Sequence, residues 1–160
     1  MAPRPAAYFE DLVPGDSWET AGHTFTESAI IDFAFRFDPQ PFHVDAEAAK
    51  SSMWGGIIAS GFHTLAVSFR LVHQSGVLAA NNVGGKGMDR LRWHRPVRPG
   101  DTLRVRVEVV SAERSRSSPD RGNVTVRYVA INQRAEEVMS VEMLHLVACR
   151  ERQPAATGRR

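Results

Sequence analysis

Apolar and polar residues alternate with a period of two through the second half of the chain. Leu103, Val105, Val107 and Val109 are interleaved with Arg104, Arg106 and Glu108, the pattern of a strand with one buried face. Leu91 and Trp93 alternate in the same way with Arg90, Arg92 and His94, with Arg95 continuing the run. Val124, Val126, Tyr128 and Ala130 form a third such run, and residues 138–147 a fourth. Pro99-Gly100-Asp101 separates the first two as a turn, the polar stretch 111–122 reads as a loop, and Asn132-Gln133 opens the last connection. The first half has a helical period instead. Ile30, Phe33, Ala34 and Phe37 recur at i, i+3, i+4 and i+7, with Thr26 as N-cap, Phe25 and Ile30 placed as a hydrophobic staple, and Pro39 and Pro41 as terminators. A second helix is predicted over 60–74, with Phe62, Leu65, Ala66, Phe69 and Val72 on one side, Val67 and Leu71 widening it, and Gly76 as a C-cap glycine. Residues 17–25, after the turn Pro14-Gly15-Asp16, alternate weakly enough for one strand. A short helical piece is expected at 45–50, ended by Gly55 and Gly56, while 38–43 and the glycine-rich 81–87 read as irregular connections.

One strand, then helices, then four strands describe an α+β domain. A half-covered antiparallel sheet needs a partner for its apolar face, and the helix at 60–74 is the candidate large enough to serve, so the sheet is expected to wrap around it. With 160 residues, 42% hydrophobic and 24% charged, the chain fits one globular domain, placed at 8–149; segments 1–7 and 150–160 carry no apolar periodicity and read as loose ends. The single cysteine, Cys149, excludes an intrachain disulfide and a cysteine-rich zinc site; the other histidines show no metal-ligand spacing, so no metal is expected. No apolar run suits a signal peptide or a membrane span, which together with the lone cysteine points to the cytoplasm. The net charge of +2 comes from arginines dispersed along the chain, which favours neither nucleic acid nor a membrane surface and is compatible with an anionic small molecule.

Two segments carry candidate chemistry. In Asp38-Pro39-Gln40-Pro41-Phe42-His43 a carboxylate and an imidazole are set close together across two prolines that restrict the backbone. Such a pair can hold one water, take its proton and return it. The same spacing also fits a helix-terminating loop in which Asp38 caps backbone amides and His43 merely packs. In Ala59-Ser60-Gly61-Phe62-His63, Ser60 and Gly61 open the apolar helix. First-turn amides lack helical partners and carry partial positive charge, so they can stabilise a developing oxyanion; equally, Ser60 can be a plain N-cap and the glycine a turn residue.

Taken in order, these segments resemble the MaoC-like dehydratase and (R)-specific enoyl-CoA hydratase family. The first resembles its signature of Asp, any residue, Asn, Pro, an apolar residue and His, with Gln40 standing where Asn is usual. Ala59-Ser60-Gly61 resembles the next landmark, and Arg95-Pro96-Val97-Arg98-Pro99-Gly100-Asp101-Thr102-Leu103 the later turn, so the likeness spans about residues 8–147. The resemblance implies a hotdog fold and hydration or dehydration of the 2,3 double bond of an acyl-CoA thioester, with coenzyme A as part of the substrate and no other cofactor. It implies Asp38 and His43 as the catalytic pair and the Gly61 amide in the oxyanion hole, with Ser60, Phe62 and His63 beside the substrate. Lys86, Arg90, Arg92 and Arg95 become candidate phosphate contacts, and a homodimer or dimer-based oligomer is expected. A hotdog thioesterase and a non-catalytic acyl-CoA-binding subunit are the alternatives; the first places its carboxylate differently, and the second does not need both Asp38 and His43.

Overall fold

The computed structural model describes residues 6–150. Six antiparallel strands form one sheet: β1 (Ser17–Glu19), β2 (His23–Thr24), β3 (Asn82–Trp93), β4 (Thr102–Arg114), β5 (Arg121–Ile131) and β6 (Glu137–Ala148). The spatial order is β1-β4-β5-β6-β3, with β2 also paired to β4, so β3 is an edge strand. The helices α1 (Glu27–Phe37), α2 (Pro41–Val44), α3 (Ala46–Ser51) and α4 (Gly61–Gln74) all fall between β2 and β3. The alternation read in the sequence is the burial pattern. Leu103, Val105, Val107 and Val109 of β4, Val124, Val126 and Tyr128 of β5, and Met139 and Val141 of β6 form the buried face, against which Val67, Leu71 and Val72 of α4 pack.

Helix α4 turns a different face to the sheet than its apolar count predicts. Thr64, Val67, Ser68 and Leu71 are buried, whereas Phe62 and Phe69 are 57% and 37% exposed. Small side chains let the helix approach the strands closely. The two hydroxyls are satisfied on the preceding turn, Thr64 Oγ1 donating to the Ser60 carbonyl at 3.3 Å and Ser68 Oγ to the Thr64 carbonyl at 2.8 Å. Helix α1 begins as expected, Thr26 Oγ1 accepting from the Ala29 amide at 3.2 Å. It buries Ile30 and Ala34 and leaves Phe37 outside.

Three expected connections are regular structure, and one expected strand is broken. Glycine-rich 81–87 is mostly the start of β3, paired to β6 through register shifts that take up its glycines at the sheet edge. The polar stretch 111–122 lies partly in β4 and β5, which extend to Arg114 and from Arg121. Pro41 starts a single helical turn, α2, inside what reads as irregular chain. Residues 17–25 divide into β1 and β2 because their pairing to β4 slips by one residue between Glu19↔Arg106 and His23↔Leu103. At the ends, Ala7 is buried with its amide on the Val77 carbonyl, and Arg150 is held by Glu10 and Asp11, so the folded part exceeds 8–149; the other residues expected to be loose, 1–5 and 151–160, lie outside the described ones.

Leu103, with no exposed surface, anchors the start of β4 in the core, where it pairs with His23 of β2. Leu103→Ala is expected to cost about 2–5 kcal/mol, read from the midpoint of urea unfolding with an unchanged slope.

Candidate active site

Asp38 is the C-cap of α1, and its backbone leaves the helical region at φ −156°, ψ 67° because Pro39 follows. Pro41 then starts α2, which carries His43 back towards it. The His43 Nε2 lies 3.4 Å from Asp38 Oδ2. On the other side of the ring, Nδ1 is 2.7 Å from the Ile58 carbonyl oxygen. A carbonyl only accepts, so Nδ1 carries the proton, and in the neutral ring Nε2 is the free base facing the carboxylate. His43 is buried, 4% exposed, so this orientation is held by packing as well as by the bond.

Both carboxylate oxygens are engaged. Ser60 Oγ donates to Asp38 Oδ2 at 2.7 Å and Gln40 Nε2 donates to Oδ1 at 2.8 Å. Burial pushes the Asp38 carboxyl upwards, but the hydrogen bonds from Ser60 and Gln40 and the neighbouring imidazole together outweigh it and hold it below the ordinary carboxylate value. The glutamine that departs from the usual asparagine therefore supports the acid through its side-chain amide. Ser60 has a second task as N-cap of α4, its Oγ also accepting from the Phe62 amide at 3.2 Å.

Asp38 and His43 lie in the wall of a cavity of about 330 Å³. Its lining is otherwise largely apolar: Phe42, Trp54, Ile58, Ala59, Phe62, Trp93, Pro96 and Val97, together with Gln40, Gly61, Thr64, His94 and Arg95. The Gly61 amide, first in α4, makes no hydrogen bond among the described residues, and Gly61 lines this cavity. An ionised carboxylate, an imidazole with one free nitrogen and a helix-terminal amide thus share an apolar chamber. That combination can bind a water, move its proton and stabilise an oxyanion.

The sequence-derived candidates divide around this chamber. Asp38, His43, Gly61 and Phe62 line it, and Ser60 lies behind Asp38. His63 is not among the lining residues: its ring stacks on Phe33 at 4.5 Å and lies 4.9 Å from Phe25, and burial, with His23 and Arg70 nearby, drives its pKa down to about 4. The helix rotation that buries Thr64 and Ser68 also carries His63 away from the cavity. Of the candidate phosphate contacts only Arg95 reaches the lining. Lys86 bonds Asn123 Oδ1, Arg90 pairs with Glu142 at 2.8 Å, and Arg92 bonds the Leu91 carbonyl. Trp54 and Trp93 are also walls of the site, and no spacing signal in the sequence marks them as such.

The sequence profile of the MaoC like domain matches residues 11–134. The chain is 33% identical over 138 residues to the Bacillus subtilis protein YdeM, covering 86% of this chain and 96% of YdeM. It is 38% identical over 109 residues to the 3-hydroxyacyl-thioester dehydratase Z of Mycobacterium tuberculosis, covering 65% of this chain and 66% of that protein. A crystal structure of the MaoC-like dehydratase from Rhodospirillum rubrum superposes with a TM-score of 0.85 at 42% identity, covering 91% of this chain and 99% of that one. The architecture is the hotdog fold.

Because the Asp38 value is lowered, its carboxylate contributes stability above the unfolded value that is lost as pH falls through the folded one. Ser60→Ala and Gln40→Ala each remove one supporting hydrogen bond, so Asp38 is expected to titrate at higher pH in both variants. Carbon NMR of the side-chain carboxyl checks this; an Asp38 titration unchanged in both would contradict the assigned supports.

Proposed function

This chain belongs to the MaoC-like dehydratase family, and from that premise we propose that it is an enoyl-CoA hydratase/dehydratase, a hydro-lyase acting on the 2,3 double bond of an acyl thioester. The observation that carries this reading is the Asp38–His43 pair, held at 3.4 Å by partners on the outer side of each group, in one chamber with the free Gly61 amide. In the hydration direction a water held by His43 Nε2 and Asp38 adds its oxygen to C3 of the enoyl group. The proton it gives up passes to the pair, the electron pair of the double bond moves onto the thioester oxygen as an enolate, and Gly61 N–H stabilises that oxygen. Return of the proton to C2 regenerates the thioester carbonyl, so one water is added and the pair is restored. Elimination is the reverse path. The apolar lining favours this chemistry because few other waters compete with the pair to protonate the enolate.

Substrate carrier and assembly belong to the same proposal. Arg95, at the chamber wall and 3.9 Å from Glu136, is our candidate contact for a coenzyme A phosphate, and the edge strand β3 leaves a rim through which two copies can join. The 3-hydroxyacyl-thioester dehydratase named above supports the reaction class.

Asp38→Asn and His43→Ala are each expected to leave a folded protein and to lower kcat/KM for enoyl-CoA hydration by at least ~10²-fold. The readout is loss of the conjugated double bond's absorbance, and near wild-type turnover in both would remove the site. Light scattering is expected to give at least twice the 17.7 kDa chain mass; a monomer across working concentrations would refute the dimer.

A further inference from the structure

Gly61 lacks a side chain, and the space that a Cβ would fill is taken by the Trp93 indole: an ideal Cβ there would lie 2.6 Å from Nε1 and 2.9 Å from Cζ2. Trp93 therefore lies directly against Gly61, which lines the chamber. Its placement has a local cause. Between Asp89↔Glu142 and Arg92↔Ser140, β3 contains one residue more than β6, a bulge at which Arg90 adopts φ 53°. Left-handed backbone is uncommon outside glycine, and here the Arg90 guanidinium is tied to Glu142 at 2.8 Å across the bulge. Trp93 and Met88 both stand opposite inward-facing methionines, Met139 and Met143, although five positions of unbroken strand would put them on opposite faces. The extra residue is what turns the indole inward, towards the start of α4.

The indole is held loosely once there. Trp93 is 49% exposed, Nε1 has no hydrogen-bond partner among the described residues, and its recorded ring contact is an edge-on one to Phe62, 6.0 Å away and itself 57% exposed. The other indole of the chamber, Trp54, sits in a fixed turn, its carbonyl bonded by Arg98 at 2.6 Å.

We propose that Trp93, which lies against Gly61, is the movable wall of the thioester seat, displaced by the entering thioester, and that its bulk determines which acyl groups are accepted. The proposal rests on the acyl-thioester reading above. Groups that stay short beside Gly61 need only a small displacement of the indole, whereas longer ones must push it out into solvent and lose its contact with Phe62. Trp93 is accordingly a specificity-determining residue that takes no part in moving protons.

The test uses the full chain and two separate readouts. In a Trp18→Phe/Trp54→Phe protein Trp93 is the remaining indole, and titration with butyryl-CoA, which has no double bond to hydrate, is expected to change its emission with the same dissociation constant as calorimetry gives. In kinetics, Trp93→Ala is expected to raise the ratio of kcat/KM for 2-octenoyl-CoA over crotonyl-CoA by about 10-fold or more, the scale on which a pocket wall discriminates between methylenes. Trp93→Phe should fall between the two, with unfolding temperature retained. Calorimetric binding with unchanged Trp93 emission, or an unchanged substrate ratio in both variants, overturns the proposal and leaves the hydratase reading intact. Failure of the wild-type protein to bind any coenzyme A thioester overturns both. Should Trp93→Ala not fold, Trp93→Phe and the emission titration decide.

Discussion

The hydrogen bond from Ser60 Oγ to Asp38 Oδ2, at 2.7 Å, joins two helix ends that are 22 residues apart in sequence. Asp38 closes α1 and Ser60 opens α4, so one bond sets the distance between the carboxylate and the first amide of the central helix. The chain between them has little freedom left: the Ile58 amide bonds the Phe42 carbonyl, the Ala59 amide bonds the Val97 carbonyl, and the Ile58 carbonyl holds the His43 ring. Acid, base and amide are thus referenced to one another through residues 57–60, all of them buried. Functional groups borne on three separate helices acquire a common frame in this way, and that is the form of preorganisation a proton-transfer site requires.

The same bond explains why the carboxylate tolerates its half-buried position. A carboxylate removed from water raises its pKa unless donors replace the lost hydration. Here two side-chain donors and an imidazole do so, and the net direction is downwards. The other buried histidines receive no such treatment. His145, against Tyr128 in the sheet, is lowered to about 4 by burial with His73 nearby, and His63 among aromatic rings reaches the same value. Both remain neutral at physiological pH. His43 differs from them in facing a carboxylate across an open chamber, so among these three buried histidines the geometry for reversible proton transfer is found at one.

Much of this was legible in the sequence, and the reasons differ by element. Strand β4 and most of β5 follow from strict alternation, and α1 from its cap and its prolines, because those signals are local. The face of α4 was misread because hydrophobicity counts phenylalanine as inward and serine as outward. Close packing against a sheet instead selects small residues, and Thr64 and Ser68 can bury hydroxyls by bonding the previous turn. That single rotation also misplaced His63. Asp38, His43 and Gly61 could be picked out as candidates because two short segments carry a carboxylate, an imidazole and a helix start. The partners Gln40 and Ser60 belong to the same segments, yet their bonds to Asp38 depend on the angle between α1 and α4, which no local pattern encodes.

Trp93 shows the limit most clearly. By strict alternation along β3 it shares a face with Leu91 and lies opposite in phase to Met88, and nothing in the residue types announces the extra residue near Arg90. A bulge is a property of two strands: it arises where β6 offers one residue, Val141, to two of β3, Arg90 and Leu91, with the misfit absorbed by one left-handed residue and an ion pair to Glu142. Register errors of this kind invert every side chain beyond them. The wall of the chamber is therefore fixed by strand pairing some fifty residues away in the chain, while Asp38 and His43 are held by Ser60 and Ile58, 22 and 15 residues away. The candidate acid–base pair is the more local, and the group that shapes the space around it is the more dependent on the whole sheet.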